Sequence, residues 1–180
     1  MKKILFLFVL LIFTTVCYSQ SVLGIPFGSS FSTVKSQLQD RFGYYSVTED
    51  NGTLKLYNDF SMGDYTFNFA SFEFQRSGSL SYFNFAYFER RFGANQITAA
   101  KESRDYLFSL LKGKYEDDFV DDYINDQGFK CYNFGQDPKE PQYTLGRIIL
   151  SRGQGKDGKT RLYLKLIYGP IHYLSKSSDF

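Results

Sequence analysis

The residues that come closest to a chemical site in this 180-residue chain form a glycine-rich stretch near its end. Gly153-Gln154-Gly155-Lys156-Asp157-Gly158-Lys159-Thr160 matches the pattern G-x-x-x-x-G-K-[ST], in which backbone amides cradle phosphates and the lysine reaches the outer ones. Such a loop requires a helix directly behind it, because the helix N-terminus supplies the aligned N–H groups. The residues that follow, RLYLKLIY, alternate like a strand. The sequence therefore predicts a hairpin tip here and no nucleotide site at Lys159.

An acidic run in the second half of the chain is the next candidate for chemistry. Asp118, Asp121 and Asp122 belong to it and are the candidate calcium ligands, since calcium prefers carboxylate oxygens. The spacing D-x-[DN]-x-[DN]-G is absent and apolar residues interrupt the run, which favours a solvated strand or helix face. We therefore predict no metal site. A pair of carboxylates acting in glycoside hydrolysis is an alternative that spacing alone does not define.

Nucleophilic side chains are scarce in this sequence. It has one histidine, His172, and two cysteines, and it has no tryptophan. Cys131 alternates with Phe129 in FKCYNF, which predicts a strand and a buried, inert thiol. No histidine stands near Cys131 in sequence to activate it. We therefore predict no catalytic residue, no zinc or heme site and no cofactor.

The beginning of the chain has the three parts of a secretory signal peptide. Residues 1–3 are basic, residues 4–13 form an unbroken apolar run, and residues 14–19 are polar and small. The apolar run is too short to span a bilayer as a permanent helix, so we predict no transmembrane segment. The pattern instead predicts export to the periplasm or the extracellular space.

The best cleavage point follows Ser19, which makes 1–19 the signal peptide and 20–180 a single exported domain. Acylation of Cys17 is the alternative, and it is disfavoured because Val16 stands where lipoprotein signals have a small residue. Cleavage removes two lysines and leaves 19 basic against 19 acidic residues. Phosphate recognition needs a clustered excess of Lys and Arg, so we predict no nucleic-acid partner.

The same order of elements occurs twice behind the predicted cleavage point. In residues 24–92, a helix capped by Ser29, Ser30 or Ser32 and ended by Gly43 precedes a hairpin at Asp50-Asn51-Gly52 and two aromatic strands. In residues 93–172, a helix over 98–112 precedes two further hairpins. The apolar side of this helix is predicted to contain mostly Ala99, Tyr106, Leu107, Leu110 and Leu111. We predict an α+β fold: a tandem repeat of a helix followed by four antiparallel strands, with about eight strands and two helices on one face. Residues 115–124 fit either a strand or a helix.

The opening of the predicted domain, LGIPFGSSFSTVKSQLQDRFG, resembles that of small bacterial envelope domains. The similar groups are the β-lactamase-inhibitor-protein-like domains and the SmpA/OmlA type of outer-membrane lipoprotein, in which "GI-x-x-G-x-S-x-x-x-V" starts a helix that packs on an antiparallel sheet. The matching residues here are Gly24, Ile25, Gly28, Ser30 and Val34. The resemblance implies the same helix-on-sheet fold. It also implies a function of presenting a surface to other proteins rather than catalysis.

Two aromatic strands supply the candidate binding surface. Helices cover only one face of a sheet, so some rings are expected on the other face, and Tyr and Phe are common in protein interfaces. A phase shift is expected between Phe69 and Phe72, which alternation would place on opposite faces. The alternative is a core built of Phe whose second face is closed by loops or by a second copy of the chain. The candidate residues are Tyr65, Phe67, Phe69, Phe83, Phe85 and Tyr87.

These features favour an exported bacterial protein of non-enzymatic type that binds another protein, or its own copy, through this aromatic face. A carbohydrate- or lipid-binding module is the alternative, although tryptophan, the commonest platform for sugars, is absent. A hydrolase that uses a carboxylate pair is the third hypothesis.

Overall fold

An eight-stranded antiparallel sheet and two α-helices make up the fold of the residues that the structure describes. The structure is a computed structural model and describes residues 21–77, 79–114, 121–136 and 143–172. The predicted α+β class and the antiparallel sheet are confirmed. The predicted signal peptide and Cys17 lie outside the described residues.

The elements follow one another in two series. The first is β1 (Ser21–Val22), β2 (Ile25–Pro26), α1 (Phe31–Phe42), β3 (Val47–Asp50), β4 (Thr53–Leu56), β5 (Phe60–Met62), β6 (Tyr65–Phe67), β7 (Phe69–Ser77) and β8 (Leu80–Gly93). The second is α2 (Ile97–Lys114), β9 (Asp121–Ile124), β10 (Lys130–Gln136), β11 (Tyr143–Gln154) and β12 (Thr160–His172).

The strand order of the main sheet is β3-β4-β7-β8-β12-β11-β10-β9. The last strands of the two series, β8 and β12, therefore pair at the centre of the sheet, and the short strands β3 and β9 form its edges. A separate hairpin, β5–β6, lies between β4 and β7 in sequence. The sequence pattern does not indicate this hairpin, because residues 65–76 fit a single strand that would include both β6 and β7.

The turns between paired strands agree with the sequence predictions. Asn51 and Gly52 both have positive φ angles, 50° and 77°, as a tight two-residue hairpin requires. The stretches Asn125–Gly128 and Gly155–Lys159 also connect antiparallel strands. Residues 121–124 form a strand, whereas residues 115–120 lie outside the described part of the chain.

Helix α1 begins and ends where local chemistry predicts. The Ser30 hydroxyl accepts a hydrogen bond from the Thr33 amide at 3.2 Å, so Ser30 is the N-cap among the three candidate serines. Gly43, with a φ of 92°, follows the last turn. Val34 and Leu38 are buried against the sheet.

The segment before α1 is attached to β8. The Gly28 amide donates to the Phe83 carbonyl at 2.7 Å, and the Phe83 amide donates to the Ser29 carbonyl at 2.8 Å. The Phe27 ring also stacks on the Phe83 ring at 4.9 Å. These contacts fix the start of α1 over one face of the sheet.

Helix α2 turns a different stripe to the sheet from the predicted one. Tyr106 and Leu110, expected on the buried side, are 47% and 37% exposed. Arg104 is buried in this stripe, and its guanidinium has hydrogen-bond partners there. Its Nη1 donates to the Lys130 carbonyl at 3.1 Å, and its Nη2 pairs with the Asp105 carboxylate at 2.8 Å. Apolar residue type alone did not identify the stripe, because a charged side chain with satisfied hydrogen bonds occupies part of it. The stripe is Ala100, Arg104, Leu107 and Leu111.

Both helices cover the same face of the sheet, and phenylalanine rings fill the space between the layers. The ring centres of Phe31 in α1 and Phe74 in β7 lie 4.9 Å apart. Phe108 of α2 stacks on Tyr132 of β10 with 4.0 Å between ring centres. Phe88, on the central strand β8, is fully buried between these contacts. The opposite face carries no helix in the described residues, and we call it the helix-free face.

Candidate functional site

The six predicted binding rings divide between the core and the helix-free face. Tyr65, Phe67 and Phe83 are buried, with 2%, 0% and 0% of their surface exposed. The expectation that they belong to an open face is therefore wrong. Phe69, Phe85 and Tyr87 lie half-buried on the helix-free face.

Two local irregularities explain this division. Asn68 separates β6 from β7, and its amide donates to the Glu89 carbonyl at 2.8 Å, so Phe67 and Phe69 do not belong to one continuous strand. The second is a β-bulge in which Phe83 pairs with Phe74 and Phe85 pairs with Glu73. A one-residue insertion moves a side chain to the other face. The phase shift expected between Phe69 and Phe72 is therefore found at these two places instead.

On the helix-free face, three rings contact one another in a row, and a lysine connects the last of them to a fourth ring. The ring centres of Tyr57 and Phe69 lie 5.3 Å apart, and those of Phe69 and Tyr87 lie 5.9 Å apart. Lys165 lies 5.7 Å from the centre of the Tyr87 ring and 5.8 Å from that of Tyr163. We call Tyr57, Phe69, Tyr87 and Tyr163 the aromatic row. Its face is mixed aromatic and cationic rather than purely apolar.

A buried carboxylate stands beside this row. Glu89 is 5% exposed, and it accepts hydrogen bonds from the Tyr87 hydroxyl and, at 2.6 Å, from Arg91 Nε. Arg91 in turn lies 5.6 Å from the centre of the Phe69 ring. Burial, and next the bond to Glu89, raise the pKa of Tyr87 well above its usual value. Tyr87 therefore stays a neutral donor, and Glu89 holds Arg91 in place.

The end of the β11–β12 hairpin and the helix-free face enclose an open groove of about 610 Å³, which we call the open-face groove. Most residues that line this groove were not predicted from the sequence. One signal was present: Phe85, Tyr87, Glu89 and Arg91 alternate in FAYFER and AYFERRF and so share a face. The contributions of Tyr57 and of the hairpin end had no such signal, because they depend on strand pairing across the sheet. The lining includes Tyr57, Glu89, Arg91, Lys156, Arg161 and Tyr163.

The hairpin end is the glycine-rich stretch that matches the phosphate-binding pattern. Strand β12 begins directly after Lys159 and pairs antiparallel with β11, so a strand and not a helix follows the loop. The loop also contains its own anion. The Asp157 carboxylate accepts hydrogen bonds from Arg161 Nη1 at 2.7 Å, from Arg161 Nη2 at 2.6 Å and from the Lys159 amide at 3.3 Å. The hairpin prediction is confirmed.

We expect the Asp157 carboxyl to titrate at an unusually low pH. Its bond to Arg161 is the largest influence and lowers the pKa of Asp157 to about 2. Because the folded pKa lies below the ordinary value, this pair supports the folded hairpin above about pH 4 and is lost as the pH falls towards 2. A carboxyl-carbon NMR titration measures the midpoint.

The matched variants for this titration are Arg161→Leu and Lys159→Leu. Arg161→Leu removes the partner and should return the midpoint to the ordinary aspartate range. Lys159→Leu also removes a nearby cation but leaves the backbone amide, so the midpoint should stay low. Equal midpoints in the two variants would contradict the assigned role of Arg161.

The acidic run and Cys131, the other groups considered for chemistry, do not form a site in the described residues. No three His, Cys, Asp or Glu side chains of this part of the chain are grouped so as to hold a metal ion. Asp122 forms an ion pair with Lys130, Asp121 lies on β9, and Asp118 falls outside the described residues. The buried position predicted for Cys131 is confirmed, and burial raises the pKa of its thiol.

Among the described residues, Glu89 and Asp157 are the two carboxylates that line the open-face groove, and their surroundings test the hydrolase hypothesis. A glycosidase needs one carboxyl that stays protonated near neutral pH to act as the general acid. The low pKa of Asp157 is the opposite of that requirement. Glu89 is held by Tyr87 and Arg91 on the two oxygens of its carboxylate. Glu89 and Asp157 are therefore suited to positioning arginine side chains rather than to proton transfer.

No family model, curated protein or solved structure matches the chain. Neither α1 nor α2, the helices of the described residues, combines the length and the apolar character that crossing a membrane requires.

Proposed function

We propose that the chain is an exported, non-enzymatic bacterial envelope protein that binds another protein, or a second copy of itself, through the helix-free face. The observation that carries this proposal is the aromatic row on a sheet face without a covering helix in the described residues. Half-buried rings held by neighbouring cations offer a rigid surface, which loses little side-chain entropy on binding. Aromatic residues and arginine are also the types enriched in protein interfaces. Export is supported by residues 1–19 alone.

The proposal includes an internal repeat over residues 24–92 and 93–172. Its support is that each series runs from one helix into four strands of the main sheet, and that the strand order of one series mirrors the other. The first series adds the hairpins β1–β2 and β5–β6, and α1 has 12 residues against 18 in α2. Divergence after duplication accounts for such differences.

Two observations bear on the alternative of a carbohydrate- or lipid-binding module. Cations lie over the rings of Phe69, Tyr87 and Tyr163, which hinders the flat stacking that sugars require. The apolar pocket at Phe42 and Phe60 has a volume of about 50 Å³, whereas small-molecule pockets usually measure about 300–1,000 Å³. A protein partner therefore fits the surface better.

The proposed function is tested by capture of a partner on the immobilised chain that begins at Gln20. Tyr57 is 56% exposed at the end of the aromatic row, and Tyr57→Ala should weaken capture roughly tenfold, the loss expected when an aromatic side chain that contacts the partner is truncated. Size-exclusion chromatography of the same samples reports self-association, and titration with envelope extract reports a foreign partner.

Tyr106→Ala is the matched control, because Tyr106 is 47% exposed but lies on α2, in the other layer. It should capture the partner like the wild type. If the wild type captures nothing and runs as a monomer, or if both variants lose the partner equally, the helix-free face is not the binding surface.

A further inference from the structure

Positive charge is concentrated at the open-face groove. Arg91, Lys156 and Arg161 line it, and Lys165 lies beside it between two rings of the aromatic row. Two carboxylates stand among these four cations, and each is bound by one of the arginines. The described residues of the groove therefore have a surplus of cations, in a chain whose total charge is nearly balanced.

Both arginines are already oriented for recognition. Glu89 holds Arg91 through Nε, which leaves the outer nitrogens of Arg91 without a hydrogen bond to the described residues. Asp157 holds Arg161 through Nη1 and Nη2. An arginine whose orientation is fixed before binding loses less freedom when a ligand arrives.

The two lysines supply the unbalanced charge. Among the described side chains, no carboxylate lies within ion-pair distance of Lys156 or Lys165. The hydrogen bond from Lys55 is the main influence that lowers the pKa of Asp50, and the charge of Lys156 adds to it from outside ion-pair distance. Lys156 is exposed at the hairpin end, so it can meet a ligand without rearrangement of the fold.

We infer that the open-face groove binds an acidic, aromatic-containing peptide segment of the partner protein. Charge complementarity carries this inference: carboxylates already fit the two arginines, and further carboxylates would balance Lys156 and Lys165. The exposed ring of Tyr57 provides the apolar contact at the edge of the groove. The inference rests on the proposed function, since the groove belongs to the helix-free face.

The test uses a short fluorescein-labelled peptide that alternates Glu and Tyr, with a peptide that alternates Gln and Tyr as its uncharged match. Fluorescence anisotropy with the chain that begins at Gln20 should show binding of the acidic peptide only, and binding should weaken as salt is added. Lys156→Glu should weaken it by about 5- to 20-fold, the effect of reversing one exposed charge in contact with carboxylates. Lys101→Glu is the matched control, because Lys101 is exposed on α2 and changes the net charge equally. It should change the affinity less than about twofold.

Three results would overturn the inference. They are equal binding of the Gln-containing peptide, equal effects of Lys156→Glu and Lys101→Glu, and binding of dextran sulfate without binding of the acidic peptide. The two proposals fail separately. If Tyr57→Ala abolishes partner capture and Lys156→Glu leaves it intact, the proposed function stands and the acidic ligand is wrong. If the acidic peptide binds at Lys156 but no partner or second copy is captured, the ligand chemistry stands and the proposed function is wrong.

Discussion

Phe88→Ala is expected to lower the free energy of unfolding by about 3–5 kcal/mol, the range found when a fully buried phenylalanine is truncated. Phe88 is 0% exposed and lies on β8, opposite Leu166 of β12, where the two series of elements meet. Its removal leaves a cavity at the centre of a group of rings that has little freedom to collapse. The rings in contact with it are Phe60, Phe67, Phe72 and Tyr168.

Urea denaturation followed by circular dichroism measures this loss. A domain of this size is stable by only about 5–15 kcal/mol, so the variant should unfold at a much lower urea concentration, and its melting temperature should fall by roughly 6–20 °C. Phe88→Leu, which keeps most of the apolar volume, remains measurable if the alanine variant does not fold.

Phe85→Ala is the matched control, because it truncates the same ring on the same strand, but on the helix-free face. Phe85 is only half-buried, so the loss should be roughly 1–2 kcal/mol. A larger loss for Phe85 than for Phe88 would contradict the assignment of the two faces.

Gly146→Ala is expected to lower the free energy of unfolding by about 1–3 kcal/mol, and the upper end is expected because the neighbouring ring cannot move away. A Cβ at this position would lie 2.0 Å from Cζ of Phe134. Phe134 pairs directly with Gly146 across β10 and β11, is fully buried, and is confined on its other side by Tyr168, 5.3 Å away. Glycine is required here for the close approach of a ring to the backbone.

A double-mutant cycle separates this explanation from a general effect of strand glycine. Phe134→Leu removes the ring atoms that the new methyl group would meet, so the double variant should lose less stability than the sum of the single variants. Additive losses would show that the Phe134 ring is not the obstacle.

Gly113→Ala serves as the control for the substitution itself. No atom lies within 4 Å of the corresponding Cβ position, and Gly113 lies in α2, so alanine should stabilise the protein by roughly 0.5–1 kcal/mol. The same chemical change is thus expected to have opposite signs at the two sites.

The rings that stabilise the fold and the residues proposed to bind lie in different parts of the molecule. The rings that stabilise the fold lie on the helix side of the sheet, whereas Tyr57, Lys156 and Lys165 lie on the helix-free face or at the hairpin end. Variants of the second set should therefore change binding without unfolding the protein. The denaturation assay that follows Phe88→Ala verifies this for each binding variant.

Part of this protein is determined by the sequence alone, because the relevant interactions lie within a few residues. The stop at Gly43 and the Asn51-Gly52 turn satisfy local backbone groups and were predicted correctly, whereas the structure selects Ser30 from three candidate caps. The hairpin at Gly153–Thr160 was also predictable from nearby residues. Apolar and polar side chains alternate after Lys159, which indicates a strand where a phosphate-binding loop would need a helix.

Only the tertiary structure decided which rings are open and what chemistry they have. Strand side chains alternate with a period of two, so the break at Asn68 and the bulge in β8 between Phe83 and Phe85 changed the expected faces. The aromatic row also joins residues from four separate parts of the chain, and the cations over its rings come from paired strands. Strand pairing depends on contacts between residues far apart in sequence, which periodicity within one segment does not contain.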